Sequence, residues 1–180
     1  MFQSLKKESQ TLCLYCGFCC DGSLFGLARI GKAEEVESLE GKWFVIRRED
    51  GKNWFLQPCP HYRNEKCRIY DDNSKPLICS DYKCILLKKC LNGDMSWLTA
   101  GKIIHNTKKV MADVKSSLRS SGRDDAPPSL NERLAKLGIM AESEEFRQNN
   151  GDLLLKVNEL TSLLECYFKG KKSDESGRFR

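Results

Sequence analysis

Cys13-Leu14-Tyr15-Cys16-Gly17-Phe18-Cys19-Cys20 is the stretch from which the fold is read. Two thiols separated by two residues can turn back on one ion, because a tight loop brings both sulfurs to one tetrahedron. A lone C-x-x-C also occurs in redox motifs, whereas C-x-x-C-x-x-C-C is far more specific. Gly17, Gly22, Gly26 and Gly31 follow closely, and glycine permits the turns that aim backbone amides at sulfur. Adjacent Cys19 and Cys20 project in different directions. On a helix Cys13, Cys16 and Cys20 would share a face and Cys19 would point elsewhere. The vicinal pair is therefore expected to serve different sites, or to leave one member in the core.

Working outward, a second group comprises Cys59, Cys67, Cys79 and Cys84. Pro58 and Pro60 stiffen the chain on either side of Cys59, and residues 58 to 84 hold few apolar side chains. This segment reads as loop, held by something other than apolar packing. Neither group makes an obvious module alone. Together they offer eight thiols, enough for two four-thiolate sites or one site with spares. Cys90 is six residues beyond Cys84, about 240° round a helix, so the two do not share a face; core packing is expected for Cys90. Cys166 lies beside an apolar stripe and is also expected to pack. His61, two residues from Cys59, is a candidate substitute ligand but reads first as a surface residue or a supporting neighbour of the thiols, and His105 as the polar face of a helix.

The composition limits the alternatives. The chain has 180 residues and 20.6 kDa, 30 Lys+Arg against 25 Asp+Glu, and a formal charge of +5. At 40% hydrophobic residues and a mean hydropathy of −0.52 it is polar but able to bury a core. No apolar run approaches the ~18 residues of a membrane span. Met1 to Gln10 carries Lys6, Lys7 and Glu8 without an apolar h-region, which argues against a secretory signal. A reducing, cytoplasmic setting is therefore expected, in which ten cysteines read as metal ligands rather than disulfides. The density is below the ~8–10% of a disulfide scaffold. The mild basic excess, with no basic stripe, argues against a nucleic-acid partner. The glycines match neither nucleotide-binding pattern, and two histidines leave little for a triad or a His-rich catalytic centre.

The fold expected is α+β and irregular: a small metal-stabilised cysteine-cluster domain with a β-hairpin, followed by helices. Residues 32 to 40 read as a short exposed helix. The β-forming runs 42–48 and 53–57 flank Asp50-Gly51, the signature of a hairpin tip. Helices are expected over 84–92 and 95–121. In the longer one Ile103, Ile104, Thr107, Met111, Val114 and Leu118 form a packing stripe, expected to lie on the cysteine module. Ser129 and Glu132 fit a capping box for a helix over 130–137 ending at Gly138. A last helix is expected from Asp152 to Gly170. The domain reading is 1–119 for the cysteine domain with its packing helix, 120–129 as linker, 130–170 as C-terminal helices and 171–180 as a disordered tail.

The quoted motif continues as Asp21-Gly22-x-Leu24-Phe25. It is followed by Cys59-Pro60, by Cys67-x-Ile69-Tyr70, and by Pro76-x-x-Cys79 with Cys84 five positions on. Over about residues 10 to 110 the chain resembles the YkgJ-type cysteine-cluster proteins, the CxxCxxCC zinc- or iron-chelating domain. That family often has Arg-Pro where this chain has Lys75-Pro76. The resemblance implies metal or iron–sulfur binding, with Cys13, Cys16, Cys19, Cys20, Cys59, Cys67, Cys79 and Cys84 as ligands. All-cysteine ligation suits zinc or an iron–sulfur cluster. Ligands spread over loops of unequal length favour the cluster, [4Fe–4S] before [2Fe–2S]. Lys66, Arg68, Lys83, Lys88 and Lys89 are near enough in sequence to offset thiolate charge. Two other classes stand beside this reading. One is a structural zinc module that docks a protein partner through its C-terminal helices. The other is an iron- or cluster-dependent oxidoreductase, which would need an open coordination position.

Overall fold

A computed structural model describes residues 2–73, 75–122 and 129–169. The tail 171–180 and most of the expected linker lie outside the described residues. The fold is α+β, predominantly helical with two small antiparallel sheets. Its contacts divide into two units: residues up to 83 with 129–131, and residues 84–122 with 132–169.

The first unit begins with α1 (Phe2–Cys16) and continues through β1 (Leu27–Arg29), α2 (Ala33–Glu40), β2 (Ile46–Glu49) and β3 (Lys52–Leu56). The order in the sheet is β1-β3-β2, antiparallel throughout. The expected hairpin is present, with Ile46 opposite Phe55 and Glu49 opposite Lys52. Asp50 and Gly51 both have positive φ, 51° and 67°, the backbone a two-residue type I′ turn requires. In β3 the neighbours Trp54 and Phe55 are both 1% exposed, so this central strand is covered on both faces. The short helix α2 is amphipathic rather than simply exposed, since Val36 and Leu39 are buried three residues apart.

These apolar faces meet in one cluster: Ala28, Ile30, Val36, Leu39, Phe44, Phe55, Cys59 and Ile78, with Cys20, Ile46, Tyr62 and Ile69 against it. Phe44 meets Phe55 edge to face at 5.1 Å, a geometry the ring quadrupoles favour. Residues 58 to 83 thus do join an apolar core, contrary to the expectation of a segment without one. They also carry a minimal hairpin, β4 (Tyr62–Arg63) with β5 (Lys66–Cys67), and the short α3 (Leu77–Asp81).

The second unit is helical: α4 (Ile85–Asn92), α5 (Trp97–Ser120), α6 (Leu130–Met140, whose first two residues group with the first unit), α7 (Glu144–Asn149), and α8 (Gly151–Leu164), which passes into a π-helical turn over Glu165–Lys169. The Ser96 hydroxyl accepts the Thr99 N–H at 3.1 Å and starts α5. Ala100, Ile104, Thr107, Val110, Met111, Val114 and Leu118 form its buried stripe, which packs chiefly on α8. Thr107 is tolerated inside because its hydroxyl donates to the Ile103 carbonyl at 2.8 Å. On α8 the buried positions are Leu153, Leu160 and Leu164, and Phe168 follows in the π turn. Gly138 does not end its helix: α6 continues to Met140, because a glycine inside a helix costs only ~1 kcal/mol. The last helix starts at Gly151, and α7 precedes it as a separate turn capped by Ser143.

Candidate metal centre

Cys13 and Cys16 stand on the last turns of α1, three residues apart and so on neighbouring positions of one face. The helix closes with the Gly17 N–H on the Cys13 carbonyl at 3.1 Å, and Gly17 takes φ +73°. Any Cβ at this position would overlap the Tyr62 hydroxyl, so glycine is needed for conformation and for space. The chain then turns tightly: the Gly17 carbonyl accepts from Cys20 N–H at 2.8 Å and Asp21 N–H at 3.0 Å. Asp21 Oδ1 accepts the Ser23 N–H at 2.8 Å. Phe18 and Leu24, 1% and 0% exposed, anchor the turn. Cys19 and Cys20 therefore sit on a turn rather than on a continued helix, so no helical face joins Cys13, Cys16 and Cys20.

The two cysteine groups meet through the backbone. The Cys59 N–H donates to the Cys20 carbonyl at 2.8 Å. From there the Tyr62 N–H bonds the Cys59 carbonyl at 3.0 Å, and Tyr62 lies opposite Cys67 in the small hairpin. Cys79 lies in α3, its N–H on the Pro76 carbonyl at 2.9 Å.

Three thiols are raised, and Cys67 bears on each of them. Burial pushes the Cys20 thiol well above its ordinary range, and Cys79, Cys59, Cys67 and Asp21 add to the rise. Burial likewise raises Cys59 to about 11, against the lowering effect of the His61 and Tyr62 backbone groups. Cys79 rises to about 12, from burial first and then from Cys59 and Cys67, while Lys75 works in the opposite direction. Cys79 has an open residue surface, but protein atoms crowd its sulfur, and it is the sulfur that titrates. Two phenols report the remaining neighbours. Burial raises Tyr70 to about 12, with Cys13, Asp71, Cys67 and Cys20 contributing. Tyr62 is also raised, by burial first, with Cys20 and Cys16 among the contributors.

Electrostatic influence and one backbone bond thus link Cys20, Cys59, Cys67 and Cys79, while Cys13 bears on Tyr70 and Cys16 on Tyr62. Cys19 occupies the same turn as Cys20. Cys84 belongs to the second unit, where its sulfur accepts the Leu87 N–H at 3.4 Å and caps α4. Its thiol is raised by burial, and Cys90 adds to the rise. Cys90 is buried, as expected, whereas Cys166 is exposed instead of packed. Position 166 lies two residues, about 200° of rotation, from both Leu164 and Phe168, and so on the opposite side of the helix from their buried face.

All ten cysteines are thiols rather than disulfides. Among the described residues no three His, Cys, Asp or Glu side chains already stand in ion-holding geometry. The donor chemistry nevertheless fits a thiophilic ion. Crowded thiols whose pKa is raised keep their protons near neutral pH, and lose them together there when a cation replaces them. His61 does not join the thiols. Its Nε2 lies 2.8 Å from the Lys42 carbonyl, and its ring packs on Phe44 at 5.2 Å. Since a carbonyl only accepts, that nitrogen carries the proton.

Three residues near the thiols were given no role by the sequence reading: Tyr62, which it did not single out, and Tyr70 and Lys75, which it named only as parts of the motif. Among the described residues Lys75 is a cation that bears on Cys79, and it lies outside the set chosen by sequence proximity. Its Nζ donates to the Tyr70 carbonyl at 2.7 Å and sits 4.5 Å from the Tyr70 ring centroid. The signal available in sequence was its position four residues before Cys79.

A family model described as "CxxCxxCC: Putative zinc- or iron-chelating domain" matches residues 12–110. Neither the search of curated proteins nor that of solved structures returned a match.

Proposed function

The chain belongs to the CxxCxxCC family of zinc- or iron-chelating domains, and on that premise we propose that it holds an iron–sulfur cluster in the cytoplasm. Cys20, Cys59, Cys67 and Cys79 are the ligands this reading places first, with Cys13, Cys16 and Cys19 as the further donors of the first unit. The observation that carries it is the 2.8 Å hydrogen bond from Cys59 N–H to the Cys20 carbonyl, together with the electrostatic influence that links the four thiols. That bond ties two sequence-distant donor groups at their backbones, as a shared centre requires. A bound cluster would supply one-electron chemistry. The chain's own part is to present thiolates, to exclude water around Cys20 and Cys59, and to set the Lys75 ammonium against their negative charge. [4Fe–4S] is favoured because the donors come from a helix end, a tight turn, a hairpin and a short helix, unlike the paired knuckles of zinc ribbons.

A structural zinc module is the second reading, and four neighbouring thiols favour it because they equal a tetrahedral zinc shell. Anaerobic purification separates the two. Brown protein containing iron and acid-labile sulfide is the expected result. Colourless protein with stoichiometric zinc and no sulfide overturns the cluster in favour of the zinc module.

A further inference from the structure

Cysteine spacing does not single out Glu35. It lies in the first turn of α2, where a carboxylate suits the helix dipole. Its side chain does more than that, because Oε1 accepts the Leu77 N–H at 2.6 Å, across 42 residues of sequence. The bond ties α2 to the first residue of α3 and accounts for one oxygen. Oε2 is buried and has no hydrogen-bond partner among the described residues. Leaving a buried acceptor unsatisfied costs about 1–3 kcal/mol, and more when it is charged. Buried carboxylates are accordingly found paired with a cation or coordinating a metal. The Glu35 carboxylate lies close enough to Cys79, two residues beyond Leu77, for its charge to raise that thiol.

We propose that Glu35 Oε2 is an oxygen ligand of the metal centre, on its Cys79 side. The inference rests on the thiolate-centre reading above and deepens it. The two carboxylate oxygens then have separate duties: Oε1 holds α3, and Oε2 meets the ion. Zinc and ferrous iron both accept a carboxylate beside thiolates. The shell becomes mixed sulfur and oxygen, and the harder oxygen donor supplies the open or exchangeable position that an all-thiolate shell lacks.

The test is anaerobic Co2+ titration of the metal-free full chain, comparing wild type, Glu35→Gln and the exposed neighbour Glu34→Gln. Glutamine keeps a carbonyl oxygen for the Leu77 N–H, so α3 retains its tie. Glu35→Gln is expected to bind Co2+ at least ~10-fold more weakly, with a shifted ligand-field band and undiminished sulfur-to-cobalt charge transfer. Glu34→Gln should match wild type. Unchanged binding in Glu35→Gln, or weaker binding with an unchanged spectrum, overturns the ligand role. Absence of sulfur-to-cobalt charge transfer in wild type instead overturns the thiolate centre itself. Should Glu35→Gln fail to fold, X-ray absorption of the zinc-loaded wild type decides: an oxygen at ~2.0–2.2 Å supports the ligand, and an all-sulfur shell overturns it.

Discussion

The two units reach stability by different routes. The second is built from whole helices, of which α5 and α8 carry buried apolar stripes. Ala100, Ile104, Val114 and Leu118 of α5 and Leu160 of α8 are all 1% exposed or less. The first has strands of two to five residues, tight turns, and cysteines among its core side chains. Short strands bury little surface each, so the ends of these elements are held by backbone hydrogen bonds across long sequence separations. A unit of this kind gains from a cross-linking ion, whereas a helical unit with a filled stripe does not need one.

The contrast can be broken most decisively by metal removal. Structural zinc contributes ~10–16 kcal/mol in small metal-dependent domains. Stripping metal should therefore accelerate amide exchange over residues 58–83 by orders of magnitude, while α5 and α8 keep their protection. Uniform protection in loaded and stripped protein would show that the apolar cluster around Phe55 suffices alone. Next in size, Leu160→Ala should cost about 2–5 kcal/mol, read as a lower melting temperature for the second unit at unchanged metal content. Loss of metal with that substitution would mean the units are not independent in stability.

The smallest effect is alkaline. In metal-free protein Cys59 is raised from 9.0 to about 11 and Cys79 to about 12, each by burial first. A thiol raised on folding stabilises the fold fully below pH 9. That contribution fades as pH rises through 11 and 12, because the unfolded chain loses its protons sooner. Denaturant midpoints of the stripped protein should fall across that window, by on the order of 2 kcal/mol for Cys59. Metal-loaded protein, with thiolates already formed, should not show the fall. A flat profile for the stripped protein would place these thiols in water rather than in the core.

Several features were legible because they are local. The Asp50-Gly51 turn, the stripe on α5 and the start of α4 after Cys84 each depend on a few adjacent residues and their steric or capping preferences. The helix α1 was missed because Leu12 is its one clearly buried position near the motif, so it shows little periodicity. The hairpin β4–β5 has two residues per strand, too few for any alternation to register. Gly138 misled because a glycine can sit inside a helix as well as end one, and Cys166 because a residue two positions from a buried one on a helix faces the other way.

By itself the sequence determined the chemistry: which donors are present, their soft character, and the turn-forming glycines and prolines that free them from regular structure. Only the tertiary structure decided which donors keep company. Cys20 is joined to Cys59, Glu35 to Leu77, and Lys75, outside the cations chosen by sequence, bears on Cys79. The reason is physical. Local preferences act over a few bonds, whereas these meetings follow from how α2, the three-stranded sheet and Ile78 bury their apolar faces together.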